Sequence, residues 1–195
     1  MNRRYFLGTA ATTALSVSLA QTEPKPPATS RVTVAIIGTG GRGSSLARTY
    51  AKQPGVNLAA VCDVDSDRLA SVARSVGNNN GHAIRTVRDF RQILEMKDLD
   101  AVVIATCNHW HAPMAILACC HGKHVYVEKP CSHNPWEGEM LVKAARKYQR
   151  HVQMGNQRRS WPRIIEAVQR VREGVLGRAY FAQSWYTNNR PPIGC

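Results

Sequence analysis

Short apolar runs alternate with amphipathic segments along most of the chain. The apolar runs cover residues 31–37, 57–62, 100–105, 124–127 and 151–154. Runs of this length without polar alternation are typical of strands that are buried on both faces of a parallel sheet. Because helix-like segments separate them, the sequence predicts an α/β fold built on a doubly wound Rossmann sheet.

Helices and a short third strand, at residues 83–86, are predicted between these runs. Asp65 or Ser66 is suited to cap one helix, and Asn134 with Glu137 three residues on resembles a capping box. The predicted helices cover residues 44–53, the segment from Asp65 or Ser66 to Val76, residues 89–96, residues 113–120, and a segment after Asn134. The last of these has an apolar stripe that is expected to face the core. The stripe consists of Trp136, Met140, Leu141, Ala144, Ala145 and Tyr148.

The Rossmann pattern occupies residues 31–155, and different patterns flank it. Residues 21–30 are proline-rich and typical of an extended linker. Residues 156–195 predict an amphipathic helix that ends at Gly174, followed by a half-buried strand over 178–187. Since neither element belongs to a Rossmann sheet, we expect this segment to be the incomplete start of an α+β substrate domain.

Residues 1–20 have the three parts of a twin-arginine signal peptide. Arg3 and Arg4 are followed by an aromatic-aliphatic step, an apolar stretch without acidic residues, and small residues at Ser18 and Ala20. The pattern predicts export to the periplasm or the cell exterior. The stretch is too short to span a bilayer, so no stable membrane insertion is expected. The alternative is a basic N-terminus without a signal function.

The net charge of +13 raises the question of a nucleic-acid partner. The basic residues are scattered over predicted helices without the interleaved aromatic residues of single-strand binders, which favours a solvated basic face and no nucleic-acid partner. The six cysteines lack the spacing of a disulfide framework and are expected to be free thiols. The histidines and cysteines between residues 107 and 124 match no tetrahedral zinc spacing, so no metal site is predicted.

A glycine-rich turn joins the first predicted strand to the first predicted helix. Its residues, proposed to bind a dinucleotide, are Gly38, Thr39, Gly40, Gly41, Arg42 and Gly43. Glycines permit a tight turn, a close approach of a diphosphate to the backbone, and close packing of helix on strand. The helix N-terminus then favours the diphosphate charge.

An acidic residue ends the second predicted strand at the spacing that this turn requires. Asp63 lies about twenty residues after Gly43, where its carboxylate is able to accept hydrogen bonds from the adenosine ribose hydroxyls. A 2′-phosphate at that position would be repelled, which favours NAD over NADP. Arg42 and Arg68 leave NADP open, because either side chain has the length to reach such a phosphate.

Two further loops follow predicted strands. Residues 106–111 follow the fourth strand, and Glu128-Lys129-Pro130 follows the fifth. In open α/β sheets ligands bind outside the carboxyl ends of the strands, so both loops are expected to face the cofactor.

Together, the turn at residues 35–43, the loop at residues 106–111 and the segment 122–130 resemble the Gfo/Idh/MocA oxidoreductases. The resemblance implies a Rossmann domain followed by a substrate domain on a large open sheet, with NAD or NADP between them. It places Glu128 near the nicotinamide ribose and Lys129 at the reacting hydroxyl of the substrate, and it makes the Lys129–Pro130 peptide a candidate cis bond. Cys107 stands where the family usually has proline. Thr106, Asn108 and His111 are expected to bind the cofactor, with Asn108 and His111 shaping the nicotinamide pocket.

These residues predict an NAD(P)-dependent oxidoreductase that acts on a sugar or polyol hydroxyl. Lys129 is the candidate catalytic base, since hydride removal from a carbinol requires an acceptor for the hydroxyl proton. An NAD-dependent glycoside hydrolase that uses transient oxidation is an alternative. A non-catalytic dinucleotide-binding module is another, because the chain alone has no complete second domain. We expect the full-length protein to be a homo-oligomer.

Overall fold

The computed structural model describes residues 31–77 and 83–185, and these form a six-stranded parallel sheet with helices on both faces. The predicted doubly wound Rossmann fold is confirmed. The strands are β1 (Val32–Ile37), β2 (Val56–Cys62), β3 (Arg85–Val87), β4 (Ala101–Ile104), β5 (His124–Glu128) and β6 (Val152–Gly155). The helices are α1 (Gly41–Ala51), α2 (Ser66–Val76), α3 (Phe90–Leu94), α4 (Asn108–Cys120), α5 (Pro135–Lys147) and α6 (Pro162–Arg172), with a 3₁₀ turn at Gln157–Ser160.

The order of the strands is β3-β2-β1-β4-β5-β6. Strands β2 and β3 are therefore added outward on one side of β1, and the last three strands are added outward on its other side. The connections after β1 and β4 lead to opposite sides of the sheet. Because these two connections leave the carboxyl ends of adjacent strands in opposite directions, the fold has a crevice between them. The glycine turn and the loop after β4 therefore meet at one edge.

Two apolar clusters hold the helices against the sheet. On one face, Leu46 of α1 and Leu69 of α2 pack with Ile36 of β1. On the other face, Ala115 of α4 and Leu141 of α5 pack with strand residues of β4 and β5. Burial of strand side chains on both faces accounts for the continuous apolar runs in the sequence.

Side-chain caps begin two helices where the sequence predicts them. The Asp65 carboxylate accepts hydrogen bonds from the amides of Asp67 and Arg68 at the start of α2. The Asn134 side chain accepts from the Glu137 amide, and the Glu137 carboxylate accepts from the His133 amide. These contacts satisfy amides that have no partner within the helix.

Several predicted boundaries differ from the structure. Helix α1 begins at Gly41 rather than at residue 44, and α4 begins at Asn108 rather than at residue 113. The predicted loop 106–111 is therefore largely the first turn of α4, because a helical backbone buries His111 and Ala112 against the protein. Pro113 lies inside this helix, near its start.

The side chain of Trp136, which was expected in the core, is 67% exposed. It lies in the first turn of α5, whereas the buried residues of that helix, Leu141 and Ala144, belong to later turns. The apolar stripe thus continues past the part of the helix that contacts the sheet.

The C-terminal segment forms the predicted helix α6, but the predicted strand is absent from residues 178–185. A lone extended segment gains no ladder hydrogen bonds, and no strand of the described chain lies beside it. The apolar residues of α6, such as Ile165 and Val168, are exposed. The predicted signal peptide, the linker and the last residues of the predicted strand lie outside the described residues. Within the described residues, no helix is long and apolar enough to cross a membrane.

Candidate dinucleotide site

Two glycines of the turn after β1 are required by the packing of the protein itself. Gly38 has φ +91°, and a Cβ at this position would lie 2.6 Å from the carbonyl oxygen of Ala105. A Cβ at Gly43 would overlap the carbonyl oxygen of Gly38. These contacts bring α1 directly onto the ends of β1 and β4.

The other two glycines leave space open instead. A Cβ at Gly40 would have Arg68 Nη1 as its nearest neighbour, at 3.6 Å, and one at Gly41 would meet nothing within 4 Å. Among the described residues no side chain caps α1, and the first turn of this helix contains no acidic residue. The positive end of the helix therefore lies beside open space at Gly40 and Gly41, which fits the diphosphate of a dinucleotide.

Asp63 is held against the glycine turn. Its Oδ2 accepts hydrogen bonds from the Thr39 amide (2.6 Å) and the Thr39 hydroxyl (2.8 Å), and its Oδ1 accepts from the Asp65 amide (3.0 Å). Burial on its own would raise the pKa of Asp63, but these hydrogen bonds and the nearby Arg68 charge lower it below the ordinary value. The carboxylate is thus ionised and held in one position against the glycine turn.

A cleft of about 800 Å³ opens beside Asp63, at the carboxyl ends of β1, β2 and β4. It has the size expected of a ligand site. Thr106, His109 and Trp110 line it, together with the acidic residues Asp65 and Asp89 and three arginines. The lining also includes Gly38, Gly40, Cys62, Arg68, Arg88, Phe90 and Arg91.

The two arginines that leave NADP open are placed differently. Arg42 forms an ion pair with Glu128, at 2.8 Å, and does not line this cleft. Arg68 lines the cleft, where it forms an ion pair with Asp65 at 3.1 Å. Of the two, only Arg68 lies beside Asp63 in a position to meet a 2′-phosphate.

Glu128 is the buried acid of the site, with 4% of its surface exposed. Its Oε1 accepts from Arg42 Nε at 2.8 Å and from the Tyr126 hydroxyl at 3.4 Å. Gly155, its partner across β5 and β6, makes room for this cluster, because a Cβ there would lie 2.5 Å from the Tyr126 hydroxyl and 3.0 Å from Glu128 Oε1. The carboxylate is therefore held in one orientation.

His111 connects the loop after β4 to the loop after β5. The ring is 1% exposed, with Nδ1 at 2.6 Å from the Pro130 carbonyl oxygen and Nε2 at 3.2 Å from that of Thr106. Both partners are carbonyl oxygens, so each ring nitrogen has a hydrogen-bond acceptor within reach. His111 thus positions the segment that carries Lys129.

Lys129 is exposed, immediately after Glu128, and the Lys129–Pro130 bond is cis as expected. It lines a separate small pocket and not the cleft beside Asp63.

The sequence-predicted residues therefore fall into two groups. The glycine turn, Asp63 and Thr106 lie around the cleft, whereas Arg42, Glu128, His111 and Lys129 lie towards β5 and β6. Asn108 is exposed at the start of α4 and lines neither cavity. Within the described residues no group of acidic, histidine and cysteine side chains is arranged to hold a metal ion.

The Gfo/Idh/MocA model, described as an oxidoreductase family with an NAD-binding Rossmann fold, matches residues 32–156. The chain belongs to this family. The predicted resemblance is therefore confirmed. The prediction of NAD as cofactor is also confirmed, because the family is described as NAD-binding.

Several relatives of this Gfo/Idh/MocA chain are named glycosyl hydrolase family 109 proteins. One from Saccharopolyspora erythraea is 35% identical over 164 residues, which cover 81% of this chain and 35% of the relative. Another, from Shewanella sp. strain MR-4, is 30% identical and covers 95% of this chain and 46% of the relative. The chain thus spans less than half the length of these relatives.

Solved structures with the same fold include two inositol dehydrogenases. The myo-inositol 2-dehydrogenase from Lactobacillus plantarum is 26% identical with a TM-score of 0.67, covering 76% of this chain and 43% of that one. The scyllo-inositol dehydrogenase from Lactobacillus casei, solved with NAD(H) and scyllo-inositol, is also 26% identical, with a TM-score of 0.66 and coverage of 75% and 42%.

Tyr126 and Gly155 were not predicted as site residues, and no ligand role was predicted for His109 or Trp110. A glycine at the end of a strand often marks a close approach of another group, so Gly155 carried a usable signal. His109 and Trp110 reach the cleft because α4 begins at Asn108, and the predicted helix start five residues later concealed that placement.

Proposed function

We propose that this protein is an NAD-dependent oxidoreductase that transfers a hydride between the nicotinamide ring and a hydroxyl-bearing carbon of a sugar or polyol. The observation that carries the proposal is the position of Lys129 directly after the buried, ion-paired Glu128 at the carboxyl end of β5. A free amine at that edge is available to a substrate, beside a carboxylate that Arg42 fixes in place. The family match and the two inositol dehydrogenase structures support this function.

Each group of residues has a distinct role in the proposed reaction. The glycine turn and the start of α1 hold the diphosphate, and Asp63 accepts hydrogen bonds from the adenosine ribose. Bound NAD supplies the hydride acceptor. Lys129 takes the hydroxyl proton as the carbinol is oxidised and returns it in the reverse direction. Glu128 orients the nicotinamide ribose, and His111 positions the loop that carries Lys129.

A glycoside hydrolase that oxidises its substrate transiently is the second candidate, because relatives at 30–35% identity carry the name glycosyl hydrolase family 109. The same cofactor site and the same base would serve both reactions. They differ in net redox change: a dehydrogenase accumulates NADH, whereas such a hydrolase releases sugar while its NAD is regenerated in each turnover.

The test combines NAD with a panel of polyols and free sugars and, separately, with aryl glycosides. Absorbance of NADH and released aryl alcohol are followed for the wild type, Lys129→Ala, and Lys143→Ala as a control at an exposed position of α5. We expect NADH to accumulate with the wild type and the control, and Lys129→Ala to lose turnover but to retain NADH binding. Glycoside cleavage without NADH accumulation would favour the hydrolase. NADH binding without turnover on either panel would favour a non-catalytic module.

We further infer that the protein is exported by the twin-arginine route, on the basis of Arg3, Arg4 and the apolar stretch that follows. A reporter enzyme fused behind residues 1–30 is expected outside the cytoplasm, and a fusion with Arg3→Lys and Arg4→Lys inside it. We also expect a homo-oligomer for the full-length protein, to be measured by light scattering.

A further inference from the structure

A second pocket, of about 280 Å³, lies at the edge of the sheet next to the proposed base. Lys129 enters it from the end of β5, and the segment after β6 supplies the rest of the lining. That segment contributes Asn156, Gln157, Arg158 and Arg159. No residue lines both this pocket and the cleft beside Asp63, so the two cavities are separate.

The pocket is strongly basic. Arg158 and Arg159 bring two positive charges to it beside the amine of Lys129, and no acidic side chain lines it. Among the described residues none of these three forms an ion pair, whereas Arg42, Arg68 and Arg91 are paired with Glu128, Asp65 and Asp89. Cations placed together without a carboxylate repel one another, and an anion bound between them removes that repulsion.

The chemistry of the lining suits a sugar that carries a negative group. Arginine presents paired N–H donors that match the oxygens of a carboxylate or a phosphate. The amides of Asn156 and Gln157 are able both to donate to and to accept from sugar hydroxyls. A ligand that places its anionic group on the arginines shares the pocket with these amides and with Lys129.

We propose that this pocket binds the anionic group of the substrate, and that the substrate is consequently an acidic or phosphorylated sugar rather than a neutral one. The inference rests on the proposed function, since Lys129 defines which end of the ligand reacts. It extends that function by assigning Arg158 and Arg159 to substrate recognition. A carboxylate and a phosphate share the chemistry that the arginines recognise, and the experiment distinguishes them.

The test is a binding measurement on the NADH-saturated protein, which does not depend on turnover. Titration calorimetry compares matched ligands: glucose, glucuronate and glucose 6-phosphate, and myo-inositol with its monophosphate. The same titrations are made on Arg158→Gln/Arg159→Gln. The control is Arg146→Gln/Lys147→Gln, which removes the same charge from the last turn of α5, near the amino ends of the strands. NADH affinity is measured for every variant.

We expect a charged member of at least one pair to bind about tenfold more tightly than its neutral partner, the effect of one charge-assisted hydrogen bond. The double arginine variant is expected to lose that preference and the control to keep it. The glucuronate and phosphate arms show which anion is preferred. Equal binding of charged and neutral partners would overturn the inference, as would a preference that survives the double variant.

Two further results would overturn the inference. Inorganic phosphate that binds as tightly as the sugar phosphates would identify a general ion site. A parallel loss of NADH affinity in the double arginine variant would assign the cluster to the cofactor. The proposed function is tested separately by turnover. A neutral polyol that is oxidised without any preference for charged ligands would leave the oxidoreductase in place and remove only the anion pocket.

Discussion

The backbone carbonyl of Gly38 occupies the position that a Cβ on Gly43 would need. A Cβ on Gly38 would in turn lie 2.6 Å from the carbonyl oxygen of Ala105, so α1 and the ends of β1 and β4 meet backbone to backbone. Helix α1 therefore reaches the end of β1 only if residue 43 has no side chain. The packing of α1 on β1 therefore requires glycine at position 43 of the turn.

This relationship predicts that Gly43→Ala destabilises the protein by about 3 kcal/mol or more, because the new methyl group collides with backbone rather than with a flexible side chain. Gly41→Ala is the matched control, since a Cβ there meets nothing within 4 Å and lies in the first turn of α1. We expect the control to be neutral or slightly stabilising. Urea unfolding measures both variants. Equal stabilities would show that α1 is able to shift and that the contact is not a constraint.

Asp63 is predicted to set the preference for NAD. Asp63→Asn retains an oxygen for the Thr39 donors but removes the charge, so we expect NADH affinity to fall about tenfold and NADPH affinity to rise. Asp67→Asn, which removes a carboxylate outside the cleft, is the control and should change neither affinity. Fluorescence titration with both reduced cofactors provides the measurement. If the ratio of the two affinities is unchanged, a residue other than Asp63 sets the preference for NADH over NADPH, and Arg68 is the first residue to test.

The same carboxylate is predicted to make stability depend on pH. The pKa of Asp63 is lowered in the folded protein, so its protonation is easier in the unfolded chain. Its stabilising contribution is therefore complete above the unfolded pKa of about 4 and is lost as pH falls through the lower folded pKa. Urea unfolding of the wild type and Asp63→Asn at a series of pH values should show a stability difference that shrinks below about pH 4. A difference that stays constant down to strongly acidic pH would contradict this assignment.

The sequence predicted the features that depend on neighbouring residues or on repeated patterns. The buried strands, the Asp65 and Asn134 caps, and the glycine turn before α1 belong to this group. The predicted start of α4 was wrong because Pro113 suggests a helix start, whereas the helix begins at Asn108 and already buries His111 before Pro113.

Contacts between distant parts of the chain were beyond the reach of sequence patterns. Arg42 and Glu128 are 86 residues apart, and nothing in the spacing of either motif indicates that they pair. From the sequence, Arg42 or Arg68 has the length to reach a 2′-phosphate, but in the folded protein Arg42 forms an ion pair with Glu128. Only the register between strands shows that Gly155 makes room for this cluster.

The Arg42–Glu128 pair is predicted to contribute to stability as a coupled unit. The Glu128 side chain is 5% exposed and that of Arg42 is 41% exposed, so the pair is partly screened by solvent. We expect Arg42→Met to cost about 1–3 kcal/mol, because it leaves a buried carboxylate without its cation. In a double-mutant cycle with Glu128→Gln, the coupling should be about 1 kcal/mol or more.

Arg170 and Glu166 provide the comparison for this cycle, since they form an ion pair at 2.9 Å on α6 with side chains 66% and 61% exposed. Exposed helical pairs of this kind couple by only about 0.5 kcal/mol. Urea unfolding of both sets of variants compares the two environments directly. If the effects at Arg42 and Glu128 add without coupling, the carboxylate is held by something other than Arg42. Tyr126→Phe would then test the remaining hydrogen bond, from the Tyr126 hydroxyl at 3.4 Å.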